Sequence, residues 1–183
     1  YEDVNNDGKI TIDDRVVLGQ DNPEWIYGFN GRLEFKGFDI AALFQGIADA
    51  QVLERGRFFA PFNNSGGVAT MWEDRWTPSN PDASLPRITI GQGGVNHNVT
   101  HSWWMTDRSY LRLKNLQIGY NFPAEKLKAT KFIQSLRVFV NGTNLWTLTD
   151  FIGFDPEQQE RNTNAGAVYP QLKIYTGGAV LKF

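Results

Sequence analysis

Residues 3 to 14 read DVNNDGKITIDD, a run of oxygen-bearing side chains whose spacing can surround a divalent cation. The pattern D-x-N-x-D-G-x-I-x-x-x-D is that of an EF-hand-type calcium loop, with Asp in place of Glu at its twelfth position. Asp3, Asn5 and Asp7 supply side-chain oxygens at positions one, three and five, and Gly8 at position six permits the sharp turn. Lys9 offers its backbone carbonyl, Thr11 acts directly or through water, and Asp14 closes the site. Hard oxygen donors at this spacing select calcium over softer metals. Ile10, at position eight, is the expected apolar anchor into the body of the protein. Asp14 reaches less far than Glu would, so the expected affinity is modest. No second loop of this type occurs, so a paired calcium sensor is not expected and the metal's role is to stiffen a loop. The competing reading is an Asx-rich turn without metal, because Asn, Asp and Gly favour turns on their own.

Other residues with chemistry form no comparable set. His97 and His101 are four apart, but the surrounding GQGGVNHNVTHS is not helical, so a shared metal is not expected. Glu73, Asp74, Asp155 and Glu157 offer carboxylates for a hydrolase pair, yet nothing in the residue order brings two of them together. No Ser-His-Asp arrangement or phosphate loop occurs, and enzyme activity is not expected. Asn63, Asn98 and Asn141 open N-x-S/T sequons, which are frequent by chance and carry no glycosylation reading. Trp72, Trp76, Trp103 and Trp104 stand among Gly, Asn and Pro. Exposed rings of this kind stack on sugars, but packing within the loop or against a partner is the favoured reading.

Composition narrows the setting. Of the 183 residues, 18 are Lys or Arg and 20 are Asp or Glu, a formal charge of −2 that argues against nucleic acid. There is no cysteine, which removes disulfides, thiolate metal sites and cysteine nucleophiles together. No apolar run is long enough for a transmembrane helix or a signal peptide. The start at Tyr1, without Met or a targeting segment, reads as a mature fragment or an incomplete chain. Aromatics at 14% in a chain of mean hydropathy −0.40 suit strands with one apolar face. A helical bundle is not expected.

The elements that must carry these residues are therefore strands. Residues 24–35 (EWIYGFNGRLEF) put Trp25, Tyr27, Phe29, Leu33 and Phe35 on one face, with Ile26, Gly28, Asn30, Arg32 and Glu34 on the other. Lys36-Gly37 predicts a tight turn, and a second strand over 38–47 carries Phe38, Ile40, Ala42 and Phe44 together. Residues 50–107 read as a long loop, more than an ordinary compact domain tolerates. Alternation resumes over 109–122, where Leu116, Ile118, Tyr120 and Phe122 share a face. Its phase changes upstream at Leu111 and Leu113, which requires either a bulge near Lys114 or a loss of apolar surroundings. Residues 124–134 predict a short helical or irregular turn, and 135–148 and 169–183 predict two further strands.

Five strands of about 10 to 14 residues exceed the usual 5 to 6 of soluble sheets and match the roughly 9 to 11 tilted residues that cross a bilayer. Short turns at one end and long loops at the other form the outer-membrane barrel pattern. A soluble sandwich that hides the same aromatic faces in its core fits the alternation equally well.

Four segments in order resemble the SusC/RagA-type TonB-dependent outer-membrane transporters of the Bacteroidetes: YEDVNNDGKITIDDRVVLG, PEWIYGFNGRLEFKGFDIAALFQG, RSYLRLKNLQIGYNFP and LRVFVNGTNLWTLTDFIGFDPE, followed by the terminal strand to Phe183. The resemblance implies an all-β fold, an antiparallel transmembrane β-barrel fragment, the last five strands of a barrel of about 22. It divides the chain into an extracellular loop with the calcium motif at 1–23 and barrel strands at 24–183, with a long extracellular loop at about 50–107. Phe183, with Leu181, Ala179 and Tyr175 behind it, resembles the family's signal for the barrel-assembly machinery. The implied function is outer-membrane import of oligosaccharides or peptides, with a SusD-like surface lipoprotein as partner. The implied energy source is TonB-ExbB-ExbD acting through a plug that lies upstream in the family, outside this sequence. Outer-membrane lipid would meet the aromatic face. The alternative is a secreted calcium-stabilised β-sandwich module that binds carbohydrate.

Overall fold

The computed structural model describes residues 2–53, 61–62, 67–88, 102–128, 132–157 and 169–183. His97, His101, the Asn63 and Asn98 sequons, Phe58, Phe59 and Tyr1 lie outside the described residues. In chain order the strands are β1 (Trp25–Phe35), β2 (Phe38–Ala48), β3 (Gln51–Leu53), β4 (Met105–Asp107), β5 (Tyr110–Asn121), β6 (Ser135–Leu148) and β7 (Ile174–Lys182). One short helix, α1 (Ala124–Leu127), follows β5, and no helix among the described residues is long and apolar enough to cross a membrane. The chain divides into two units: Tyr1–Asn22, Ala50–Asp107 and Gln158–Tyr169 form one, and Pro23–Asp49, Arg108–Glu157 and Pro170–Phe183 the other.

The second unit is a five-stranded sheet of order β1-β2-β5-β6-β7, antiparallel at every pairing. Its tightest connection is Lys36-Gly37, both at positive φ (47° and 89°), as a two-residue hairpin turn requires. That turn sets Phe35 opposite Phe38, and the register then carries one apolar face across the sheet. Phe35, Phe38, Tyr120, Val138 and Ala179 form one row; Leu33, Ile40, Ile118, Val140 and Gly177 form the next. The Phe38 and Tyr120 rings lie 4.7 Å apart, and Tyr120 meets Phe122 edge-on at 5.0 Å. This face is not a core: Phe29 is 66% exposed, Leu33 67% and Val140 60%. A sandwich would cover such a face with a second sheet. The only other sheet among the described residues is the two-stranded β3-β4.

The phase change in β5 is a bulge. Leu43 pairs with Asn115 and Phe44 with Leu113, so Lys114 is the extra residue. Across β6 the same shift falls between Leu113–Trp146 and Asn115–Thr143, beside Asn144 at φ 53°. The bulge returns Leu111 and Leu113 to the apolar face. β7 begins at Ile174 rather than 169, because Pro170 has no N–H and the Gln171 N–H is taken by the Asp155 carboxylate at 2.8 Å.

In the other unit, β3 pairs with β4, Gln51 opposite Asp107. These three-residue strands are too short to show a period. Trp72 (0% exposed), Trp104 and Leu85 form a small core, with Leu53, Ala69, Met71 and Ile88 against it. Trp103 stands edge-on to Trp104 at 4.5 Å. Two of the four loop tryptophans are thus packed inside, while Trp76 and Trp103 stay partly exposed.

On the opposite face of the large sheet, Gly119 lies in a row between Asp39 and Phe139. A Cβ there would stand 2.5 Å from Asp39 Oδ2 and 2.6 Å from Arg137 Nη2. Gly119→Ala is expected to lower stability by about 1–3 kcal/mol through overpacking. The check is the temperature at which the full-length protein's gel band shifts on heating. An unshifted temperature would show that the guanidinium has room to move aside.

Candidate functional site

The oxygen-rich loop is folded by its own side chains. Asp3 Oδ2 accepts from the Gly8 N–H at 2.7 Å and Oδ1 from the Asp7 N–H at 3.2 Å. Asn5 Oδ1 accepts from Asp7 N–H, and Asp7 Oδ1 from Lys9 N–H. Gly8 sits at φ 79°, where an L side chain would be strained. Asp14 closes the loop from the far end: Oδ1 accepts from the Val4 and Asn5 N–H groups, and Oδ2 from Thr11 N–H at 2.6 Å. The Thr11 N–H above all, with those of Val4 and Asn5, holds the Asp14 carboxyl below the usual carboxylate range. Thr11 Oγ1 accepts from Asp13 N–H, so Thr11 and Asp14 together cap the 3₁₀ turn Ile12–Asp14.

The six candidate ligands Asp3, Asn5, Asp7, Lys9, Thr11 and Asp14 thus share one turn. As a donor set they are hard oxygens, which suit calcium. Among the described residues no three His, Cys, Asp or Glu side chains are gathered so as to hold a metal. A cation here would therefore draw on the Asn5 amide and the Lys9 carbonyl as well as carboxylates. Ile10 is 60% exposed, so the apolar anchor expected at position eight lies open among the described residues.

Sequence reasoning did not identify a second cluster, which lies on the polar face of the large sheet. β5 directs Arg112 to that face, where its register neighbours are Gln45 and Thr147. Arg112 Nε donates to Thr147 Oγ1, Nη2 to Asp155 Oδ1 at 2.8 Å, and Nη1 to Glu157 Oε2 at 2.7 Å. Lys114, on the bulge, meets both Glu157 oxygens at 2.9 Å. The Arg112 and Asp155 side chains are only 5% and 3% exposed. Asp155 also accepts from the Glu157 and Gln171 N–H groups. Burial works to raise its carboxyl, but the Arg112 guanidinium and these two N–H groups outweigh burial and hold it below the usual range. Two of the four carboxylates considered for hydrolysis, Asp155 and Glu157, are therefore neutralised by cations. Asp74 is likewise engaged, accepting from the Ser84 hydroxyl at 2.6 Å, its N–H, and the Asn80 amide.

A third cluster lies towards the short-turn end of the same face. Asp39 accepts from Arg137 Nη2 at 2.5 Å, Arg137 Nε at 3.0 Å and the Asn121 amide, and Arg137 also donates to Gln117. The sequence marks only the third cluster: Asp39 is a charge inside an aromatic strand, in the phase opposite Phe38 and Phe44, whereas Arg112 and Arg137 share their faces with the Tyr110 and Phe139 rings.

No family model matches this chain. It is 33% identical to TonB-dependent receptor P3 of Formosa agariphila over all of its own length and 19% of the relative's. It is 36% identical to TonB-dependent receptor P26 of the same organism, over 86% of this chain and 16% of that one. TonB-dependent receptor SusC of Bacteroides thetaiotaomicron is 20% identical over the whole chain and 17% of SusC. Among solved structures, the RagAB peptide importer in its closed-closed state superposes with a TM-score of 0.73 at 27% identity, covering 91% of this chain and 18% of that one. The chain thus spans less than one fifth of the length of the curated relatives it matches. Its five-stranded sheet is a fragment of an antiparallel β-barrel, as expected, and not half of a sandwich.

The folded state holds Asp155 below its unfolded value of about 3.9. Its stabilising share is therefore complete above that value and is lost as pH falls through the lower folded-state value. Digestion of the full-length protein with an acid-tolerant protease is expected to open residues 149–157 only below about pH 4. In Asp155→Asn the same segment is expected to open at higher pH. Identical pH profiles in the two proteins would remove Asp155 as the acid-labile tie.

Proposed function

We propose, from the homology of this chain to SusC/RagA-type TonB-dependent receptors, of whose barrel it is a segment, that it forms part of the wall of an outer-membrane importer. Five strands sit as the last of a barrel of about 22, with the turns at Lys36-Gly37 and after β5 in the periplasm and the long connections outside the cell. The solute taken up is an oligosaccharide or a peptide. A SusD-like lipoprotein covers the outer mouth, and TonB-ExbB-ExbD supplies energy through the plug carried by the rest of the protein. This chain's own residues contribute walls rather than chemistry.

The observation that carries the reading is the contrast between the two faces of the large sheet. One is apolar and open from β1 to β7. The other holds its charges in satisfied networks. A lipid-facing band outside and a polar bore inside call for that pairing. Aromatic rings near the strand ends, Trp25 and Phe35 among them, suit the membrane–water boundary.

Membranes extracted in detergent and run on a gel with and without boiling test the wall assignment. The 20.7 kDa sequence is expected to migrate within a much larger, heat-modifiable barrel that co-purifies with a surface lipoprotein. A detergent-free, monodisperse species of this chain alone would replace the importer with the calcium-stabilised binding module.

The loop at 3–14 is proposed to bind calcium through Asp3, Asn5, Asp7, Lys9, Thr11 and Asp14, as a stiffener. Its hard-oxygen donors and its Gly8 turn support this. Chelation of the full-length protein with EGTA is expected to speed proteolysis within 2–22, and Asp3→Asn with Asp7→Asn to make cleavage insensitive to calcium. Equal cleavage with calcium and with EGTA would leave a metal-free Asx turn.

A further inference from the structure

The segment that follows β6 does not extend away from the sheet. Thr149 Oγ1 donates to the Ser109 carbonyl at 2.8 Å, and the Phe151 N–H returns to Thr149 Oγ1. Six residues later Asp155 meets Arg112, Glu157 meets Arg112 and Lys114, and Arg108 Nη1 donates to the Pro156 carbonyl. Asp155 and Pro156 are both buried. Residues 149–157 are thus tied to β5 and the residues just before it at their start and at their end.

Arg112 shows which face they cover. Its register neighbours Gln45 and Thr147 place it on the polar face, and its side chain is 5% exposed. A guanidinium on the wall of an aqueous bore would stand in water unless something lay over it. Here the cover is Asp155, Pro156 and Glu157. Drawing these carboxylates out of water is costly unless each is matched, and each is. Lys114 reaches Glu157 from the bulge, the one place where β5 re-aims a side chain. A loop that merely linked two strands would need none of these ties.

We propose that residues 149–157 are a fixed strap laid across the bore-side face of β5 near the outer mouth, over Arg112 and beside its register neighbours Gln45 and Thr147, and that Arg112 is its positioning residue. The strap narrows the bore on this side and so limits the width of solute that passes along this wall. This proposal rests on the importer reading above.

The test uses the full-length transporter in intact cells, with cysteines outside this chain replaced. Gln45→Cys, in register with Arg112, reports access to the covered face, and Asp82→Cys reports an exposed outer loop residue. A membrane-impermeant maleimide is expected to label Asp82→Cys quickly and Gln45→Cys slowly. Adding Asp155→Asn and Glu157→Gln is expected to speed labelling at Gln45→Cys by roughly tenfold or more, because local opening becomes easier once the buried ion pairs are broken. Arg112→Lys, which keeps a charge but not the fork, is expected to lie between the two. The heat-modifiable band confirms that each variant is an assembled barrel. Two results overturn the strap: Gln45→Cys labelled as fast as Asp82→Cys in the parent, which needs no variant, or equal slow labelling in parent and variant. Failure of Asp82→Cys to label from outside, with labelling after lysis, overturns the importer reading and the strap with it.

Discussion

The whole arrangement depends on one constraint of the pleated strand: successive side chains point to opposite faces, while the backbone groups between them must all find hydrogen-bond partners. In hydrocarbon there is no water to serve as that partner, so a sheet with apolar residues facing lipid must be continuous in the hydrogen-bonding direction. The register of β1, β2, β5, β6 and β7 keeps the two faces separate across every pairing, and only the shift at Lys114 departs from it. Even that shift serves the separation, since without it Leu111 and Leu113 would turn to the polar side. The outer edges of β1 and β7 have no strand beside them among the described residues. A closed wall needs both edges filled, and this chain spans less than one fifth of the length of the relatives it matches.

Charge is handled differently at the two ends of the polar face. Asp39 and Arg137 make a compact pair over Gly119, where the lack of a side chain leaves room for a guanidinium to cross. Arg112 and Lys114 instead recruit carboxylates from outside the sheet. The first ties neighbouring strands to one another, while the second ties a connection to the strands. Both match each ionised group with an opposite charge, and in the buried Arg112–Asp155 pair removing one partner leaves a charge uncompensated, at a cost of about 3–5 kcal/mol.

Much of this was readable in the residue order, for a physical reason. A strand with different solvents on its two faces writes period two into the sequence, so β1, β2, β5 and β6 are legible to within a residue or two. The phase slip at Leu111 and Leu113 leaves a bulge and a loss of apolar surroundings both open, of which the bulge is what forms. The turn at Lys36-Gly37 was readable because positive φ restricts residue choice. What escaped depended on distance along the chain. β3 and β4 are three residues long and pair across more than fifty residues. Arg112 and Asp155 lie 43 residues apart, and no local pattern joins them. The oxygen-rich loop is a partial case: its turn was legible and formed as read, but Ile10 stays exposed among the described residues, because an apolar residue's cover is set by chain that is remote in sequence.

The pairing of β3 with β4 has a consequence for the order of assembly. Gln51 lies opposite Asp107, so the start and end of a long excursion are held one strand spacing apart, roughly 5 Å. The Trp72–Trp104–Leu85 core stabilises that excursion from within. Closing a loop costs entropy that grows with the logarithm of its length. Once β3 and β4 have met, β5 no longer searches for β2 across the whole excursion but across the few residues on either side of the clamp. The β3–β4 pairing thereby shortens the effective contact order of the five-stranded sheet. Its formation would let β2 and β5 register almost as quickly as β1 and β2 do across their two-residue turn.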